Sequence, residues 1–120
     1  MAPTLHDGQW VLVRRGANRV SSGDVAVFIC PLDGDMSIKR CILEEQDAVR
    51  VEHGWLKTSW GDWFLTDEQW NALLQTQPRE GIYMVGDNQF SSLDSRTYGP
   101  VSRERVLGRV ILLNKDSIHG

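Results

Sequence analysis

The sequence has little that would mark it for a membrane, a metal or a nucleic acid. Its longest strongly apolar run is VAVFIC at residues 25–30, far short of the roughly 20 residues that cross a bilayer. No stretch combines the charged, apolar and small-residue segments of a secretory leader. Basic residues do not cluster. There are 13 against 16 acidic ones, for a net charge of −3, and the two halves of the chain are balanced alike, so no nucleic-acid partner is expected. Only three histidines occur, His6, His53 and His119. Nothing in their placement has ligand spacing, and no zinc site is predicted. A glycine-rich phosphate loop is lacking, and so is a serine in a nucleophile elbow that a histidine triad would need. There are two cysteines, Cys30 and Cys41. They flank a predicted hairpin, and a loop centred near Gly34 would set Cys41 opposite about residue 26, so no disulfide is expected. Both read as small, half-buried hydrophobes.

What is there is an ordinary globular composition. The 120 residues are 41% hydrophobic and 24% charged, enough for one domain with a real core. Residues 9–15 alternate and are rich in β-formers, so they read as a strand. Further strands are predicted at 25–30, 37–43, 48–52, 81–85 and 105–113, separated by turn-forming clusters such as PLDGD. WLKTS and DWFL form a short tryptophan-rich hairpin. One helix is predicted at about 66–76, TDEQWNALLQT. Thr66 and Gln69 make a capping-box pair, Asp67 and Glu68 suit the helix N-terminus, and Trp70, Leu73 and Leu74 share a face. The fold class is therefore mainly β with one short helix, a coiled antiparallel sheet or partial barrel.

Two features stand out from that frame. The first is GDNQFSSLDSRTYG at residues 86–99, a polar loop between two apolar strands, with three serines, two aspartates, an asparagine and an arginine in its first eleven residues. Such a loop either caps itself with Asx and Ser turns or serves a site. The second is Lys39, in the middle of the strand SIKRCIL. Alternation places it on one face with Ser37 and Cys41. A solvated lysine on the outer face fits the pattern, and so does a lysine buried among apolar atoms. In the second case desolvation lowers its pKa. A shift from ~10.4 to about 7–8 corresponds to roughly 4 kcal/mol and yields a neutral amine able to take a proton from a serine hydroxyl.

The stretches MAPTL, GDVAVF, IKRCI and MVGDNQFSSLDSRTYGPV, followed by VLGRV, resemble the type I signal peptidase family, the Ser-Lys leader peptidases, in order and character and nearly end to end. The family pattern reads Ser-Met-x-Pro-Thr-Leu, Gly-Asp-x-Val, Lys-Arg, then Gly-Asp-Asn-x-x-x-Ser-x-Asp-Ser-Arg-x-x-Gly, and this last box is specific. The repressor-type self-cleaving peptidases share a Ser-Met-x-Pro start and a lysine but not the box. The resemblance implies a signal-peptidase-type sheet. It implies Lys39 as general base and Ser92 as a second serine that orients the lysine amine. Asp94 and Arg96 become a structural ion pair near the site, with Arg40 close by. Pro3 and Thr4 would shape the turn before the site, and Met1, Leu5 and Ile38 would line shallow pockets for small side chains. No metal and no cofactor is implied. The partner is an extended peptide segment of a precursor protein, lying along the strand that leads into Lys39.

The same resemblance places the nucleophilic serine one residue before Met1, and a membrane anchor further upstream. As written, the 120 residues are expected to be inactive. The open alternatives are a sequence that starts one residue late, an inactive peptide-binding relic, or another nucleophile. Through such an anchor the protein would sit at the outer face of the cytoplasmic membrane; without it the chain is expected to be soluble. Only 47 residues separate Lys39 from Gly86, so the insert between them, about 53–80, is small. It holds Trp55, Trp60, Trp63 and Trp70, read as a local core with Trp60 exposed. A chain this short also resembles relatives that mature one dedicated precursor, of the nickel superoxide dismutase type.

Overall fold

The computed structural model describes residues 11–16, 20–75, 79–87 and 93–113. Eight strands follow in chain order: β1 (Val11–Arg15), β2 (Val25–Ile29), β3 (Met36–Leu43), β4 (Val51–Glu52), β5 (Trp55–Thr58), β6 (Gly61–Phe64), β7 (Tyr83–Val85) and β8 (Val106–Leu113). Helix α1 (Asp67–Leu74) lies between β6 and β7, and a four-residue helix α2 (Ser95–Tyr98) between β7 and β8. The fold is mainly β, as the periodicity predicts. The main sheet has five antiparallel strands in the order β1-β8-β2-β3-β7, and β4-β5-β6 form a second, three-stranded sheet.

Where β2, β3 and β7 pair, the main sheet is buried on both faces, whereas β1 and β8 leave Leu12, Leu107 and Ile111 exposed. Neighbouring residues on a strand point to opposite sides, and here they divide between two cores. Ile42 and Val85 join Leu56, Trp63, Leu65, Trp70 and Leu73, contributed by the small sheet and α1. Cys41 and Met84 join Ala26, Phe28, Val101 and Val106 on the other side. The sheet also curls towards closure. Ile82, just before β7, and Val101 exchange backbone hydrogen bonds of 2.9 and 2.7 Å. Val101 feeds the 3-10 turn Arg103–Arg105 and then β8. The β7 edge is thus tied back to the segment that enters the sheet beside β2, which gives the expected partial barrel.

Local chemistry explains the remaining elements. Thr66 caps α1 with the predicted reciprocal pair: its hydroxyl accepts from Gln69 N, and the Gln69 side chain accepts from Thr66 N. Trp70 and Leu73 are buried, but Leu74 is exposed, because the helix ends there and only the preceding turn reaches the core. Asp94 caps α2, and Gly99, at φ 82°, ends it; the sequence reads this stretch as loop because four residues are too few for a periodic signal. In the β2–β3 hairpin Val25 pairs with Arg40 and Ile29 with Met36. The turn therefore centres between Leu32 and Asp33, and Cys41 stands opposite Asp24 rather than 26. Both cysteines are free and fully buried. Trp63 and Trp70 are core, whereas Trp55, expected in the local core, is exposed and in edge contact with Phe64. Trp60 is exposed as expected.

Beyond β3 the chain makes a charged knot that no pattern announced. Arg103 bridges Glu44 and Glu45 and donates to the Val20 carbonyl, while the buried Arg79 donates to the carbonyls of Glu44 and Asp47.

Closure depends on Gly81. A Cβ there would run into the Val101 carbonyl, the partner in the Ile82 bridge. Gly81→Ala is expected to destabilise the protein by about 2–3 kcal/mol, as overpacking against backbone does, read as a lower urea midpoint at unchanged m-value.

Candidate active site

Lys39 sits in the middle of β3, paired with Ala26 of β2. Antiparallel partners share a face, so its side chain leaves the sheet on the side of Ala26, Phe28 and Cys41. The residue is only 3% exposed, which excludes the solvated outer face. Among the described residues it forms no ion pair. Burial lowers its pKa from the ordinary lysine value; Asp94 pulls it back up, Arg96 pushes it down, and Cys30 pulls it up. The desolvation outweighs the attraction to Asp94 because Asp94 is already committed elsewhere.

That commitment is extensive. Asp94 is 0% exposed. Its Oδ1 accepts from the backbone N–H and the Nε of Arg96, both at 3.0 Å, and its Oδ2 accepts from Arg96 Nη2 at 2.7 Å and from Gly86 N at 3.1 Å. One carboxylate thus caps α2, neutralises Arg96 and grips the residue at which the chain leaves β7. Ser95 adds a further tie, its hydroxyl accepting from Met84 N at 2.8 Å inside the core. The loop is both self-capped and docked, since its turn chemistry is what fastens it to β7. Behind α2 lies a cavity of about 120 Å³ lined by Leu73, Tyr83, Arg96 and Pro100 among others.

On the other face of β3, Arg40 Nε and Nη2 donate to the two Asp87 oxygens at 3.0 and 3.3 Å, and Nη1 donates to the Gly23 carbonyl at 2.7 Å. Ile38 is buried and paired with Val27. The structure therefore brings together Lys39, Asp94 and Arg96, with Arg40 holding the first turn of the loop from behind. Met1, Leu5 and Ser92, and with them Pro3 and Thr4, lie outside the described residues.

Three supporting residues escaped the sequence reading. Asp87 is the partner of Arg40, and only its place beside Gly86 could have hinted at it. Ser95 was legible as a box serine but not as a backbone acceptor. Trp63, whose indole N–H donates to the Gly86 carbonyl at 3.1 Å, had no signal, because its register against β7 is set by the packing of two sheets.

The chemistry such a site allows is proton transfer by a buried amine whose pKa is lowered by desolvation. A family model described as signal peptidase, peptidase S26, matches residues 1–113. The thylakoidal processing peptidase 1 of Arabidopsis thaliana is 26% identical over 92% of this chain and 38% of its own length. The mitochondrial inner membrane protease subunit 1 of Saccharomyces cerevisiae is 28% identical over 79% of this chain and 50% of its own. Its namesake in Schizosaccharomyces pombe is 31% identical over 92% of this chain and 65% of its own. The chain thus spans between 38% and 65% of the length of these relatives. No helix among the described residues is long and apolar enough to cross a membrane.

The lowered pKa of Lys39 has a consequence for stability. Between its folded-state value and the ordinary 10.5, the unfolded chain binds the extra proton, so this lysine makes stability rise with pH through that window. Below the window the cost of burying the ammonium is constant. Lys39→Met is therefore expected to be more stable than wild type at pH 7, on the order of 1 kcal/mol. The gain should close as pH approaches 10.5, in urea titrations run across that range.

Proposed function

Since the chain belongs to the signal peptidase family, peptidase S26, we propose that it carries the base and the supporting loop of a Ser-Lys endopeptidase that removes N-terminal signal or leader segments after small residues. The observation that carries this reading is the buried, pKa-lowered Lys39 beside the Asp94–Arg96 pair. The relative named a thylakoidal processing peptidase supports the substrate class.

In this reading a serine immediately before Met1 is the nucleophile. Its hydroxyl proton passes to the neutral Lys39 amine as Oγ attacks the scissile carbonyl. The resulting ammonium then gives that proton to the leaving amine of the downstream product. Water, deprotonated by the same amine, hydrolyses the acyl-enzyme. Ser92 orients the amine through its hydroxyl. Asp94 and Arg96 hold the box in place, and Met1, Leu5 and Ile38 face the small residues before the cut.

An extended peptide has somewhere to bind. β7 pairs only with Arg40, Cys41 and Leu43 of β3. The stretch 36–39, paired with β2 on one side, keeps its other edge without a strand partner among the described residues. Strand addition there would give affinity through backbone hydrogen bonds and choice through alternating pockets. The wider assignments follow from the same reading: 1–120 as one catalytic domain with the tryptophan-rich insert at about 53–80, an anchor upstream, and action at a membrane surface.

A chain extended upstream to include that serine is expected to cut a peptide carrying Ala-x-Ala before the scissile bond. Lys39→Ala should lower kcat/KM by about 10³ or more. The rate of the unsubstituted chain should rise with pH through a group titrating below the lysine value of 10.5. Undiminished cleavage by Lys39→Ala would remove the lysine from the mechanism.

A further inference from the structure

The small sheet touches the site at two places. Trp63 on β6 is 2% exposed and packs in the core with Leu56, Leu65 and Trp70. Gly61 leaves room for its ring, since a Cβ there would stand 3.1 Å from it. Packed on all sides, the indole can aim its N–H in one direction only, and that direction is the carbonyl of Gly86. The N–H of the same Gly86 is held by Asp94 Oδ2. The residue from which the loop departs is thus gripped through its donor by the box aspartate and through its acceptor by the tryptophan. The second contact is Trp60, at the β5–β6 turn. Its indole lies where a Cβ on Gly23 would be, 2.7 Å away. The Gly23 carbonyl accepts from Arg40, and Arg40 holds Asp87, the next residue after Gly86.

We infer that Trp63 is a positioning residue for the Lys39 site, acting through its hydrogen bond to Gly86; the inference rests on the peptidase reading above. Packing alone would require only the ring. The bond to Gly86 requires the nitrogen. A buried carbonyl that loses its donor is left unsatisfied, which is unfavourable, and the loop root can relieve this by shifting towards water. The root is held by Asp94, so the shift admits solvent to the buried surroundings of Lys39, whose charge Asp94, Arg96 and Cys30 all influence. Misplacement of this kind lowers turnover while leaving an edge-bound peptide attached.

The test separates nitrogen from ring. In the serine-bearing chain, Trp63→Phe and replacement of Trp63 by the isosteric β-(3-benzothienyl)alanine, which keeps the bicycle and lacks the N–H, are compared with wild type. Trp55→Phe, on the outward face of the same hairpin, is the control. Both changes at 63 are expected to lower kcat roughly tenfold, with KM within about twofold, and to raise the Lys39 titration midpoint, followed by NMR of its side chain. Trp55→Phe should change neither. The benzothienyl protein holding wild-type kcat and wild-type Lys39 titration would overturn the inference. Lys39→Met, run alongside, tests the peptidase reading itself. Cleavage by that variant would end the reading, while loss of cleavage with unaffected benzothienyl protein would end only the role of Trp63. The Lys39 titration reads the effect of Trp63 without any reference to turnover.

Discussion

The carboxylate of Asp94 organises this molecule. It has no contact with solvent and accepts from four donors, two of them on the Arg96 guanidinium and two on the backbone. An isolated carboxylate could not be buried so deeply. With its valences filled, it becomes a fixed junction between β7, α2 and the loop that joins them. It also sets the electrostatic character of its neighbour. An unengaged aspartate beside Lys39 would hold the ammonium charged. This one has its own cation, so desolvation governs the lysine. The lowered pKa of Lys39 and the anchoring of the loop are therefore two results of one arrangement.

The two cores serve that arrangement unequally. The one around Cys41, Met84 and Val101 forms the apolar surround on the lysine's side of the sheet. The other, built from the small sheet and α1, backs the opposite face and reaches the loop from behind through Trp63. Arg40 and Lys39 are adjacent in sequence and yet work on opposite faces, one fastening the loop to the turn before β2, the other without an ion pair among the described residues. Strand alternation makes this division of labour possible within two residues.

Much of this was legible in the sequence, for identifiable reasons. Strands, the capped helix and the box were written in local patterns: the apolar Val-, Phe- and Ile-rich run at 25–30, the Thr66–Gln69 pair, and Asp-Ser-Arg. The pairing of Asp94 with Arg96 followed from the resemblance. Whether Lys39 faced solvent or core was not legible, because alternation gives a face but not what covers it. Leu74 and Trp55 were misplaced for the same reason: hydrophobicity at the right period says nothing of where a short helix stops or which face of a two-sided hairpin meets the sheet. The Arg40–Asp87 and Trp63–Gly86 links join residues 47 and 23 positions apart, and only the folded register creates them.

The order of strands in the main sheet carries one more consequence. β8 lies between β1 and β2, although every other strand precedes it along the chain. During synthesis on the ribosome, β1 has no neighbour to pair with and β2 has only β3 until the sequence from 106 onward emerges. The hairpins can form early, but the sheet as a whole, and with it the buried surroundings of the lysine, is assembled only after β8 has been made. Loop-closure entropy over such separations makes pairing of β8 with β1 and β2 a slow step, so the buried surroundings of Lys39 are completed only once β8 has left the ribosome.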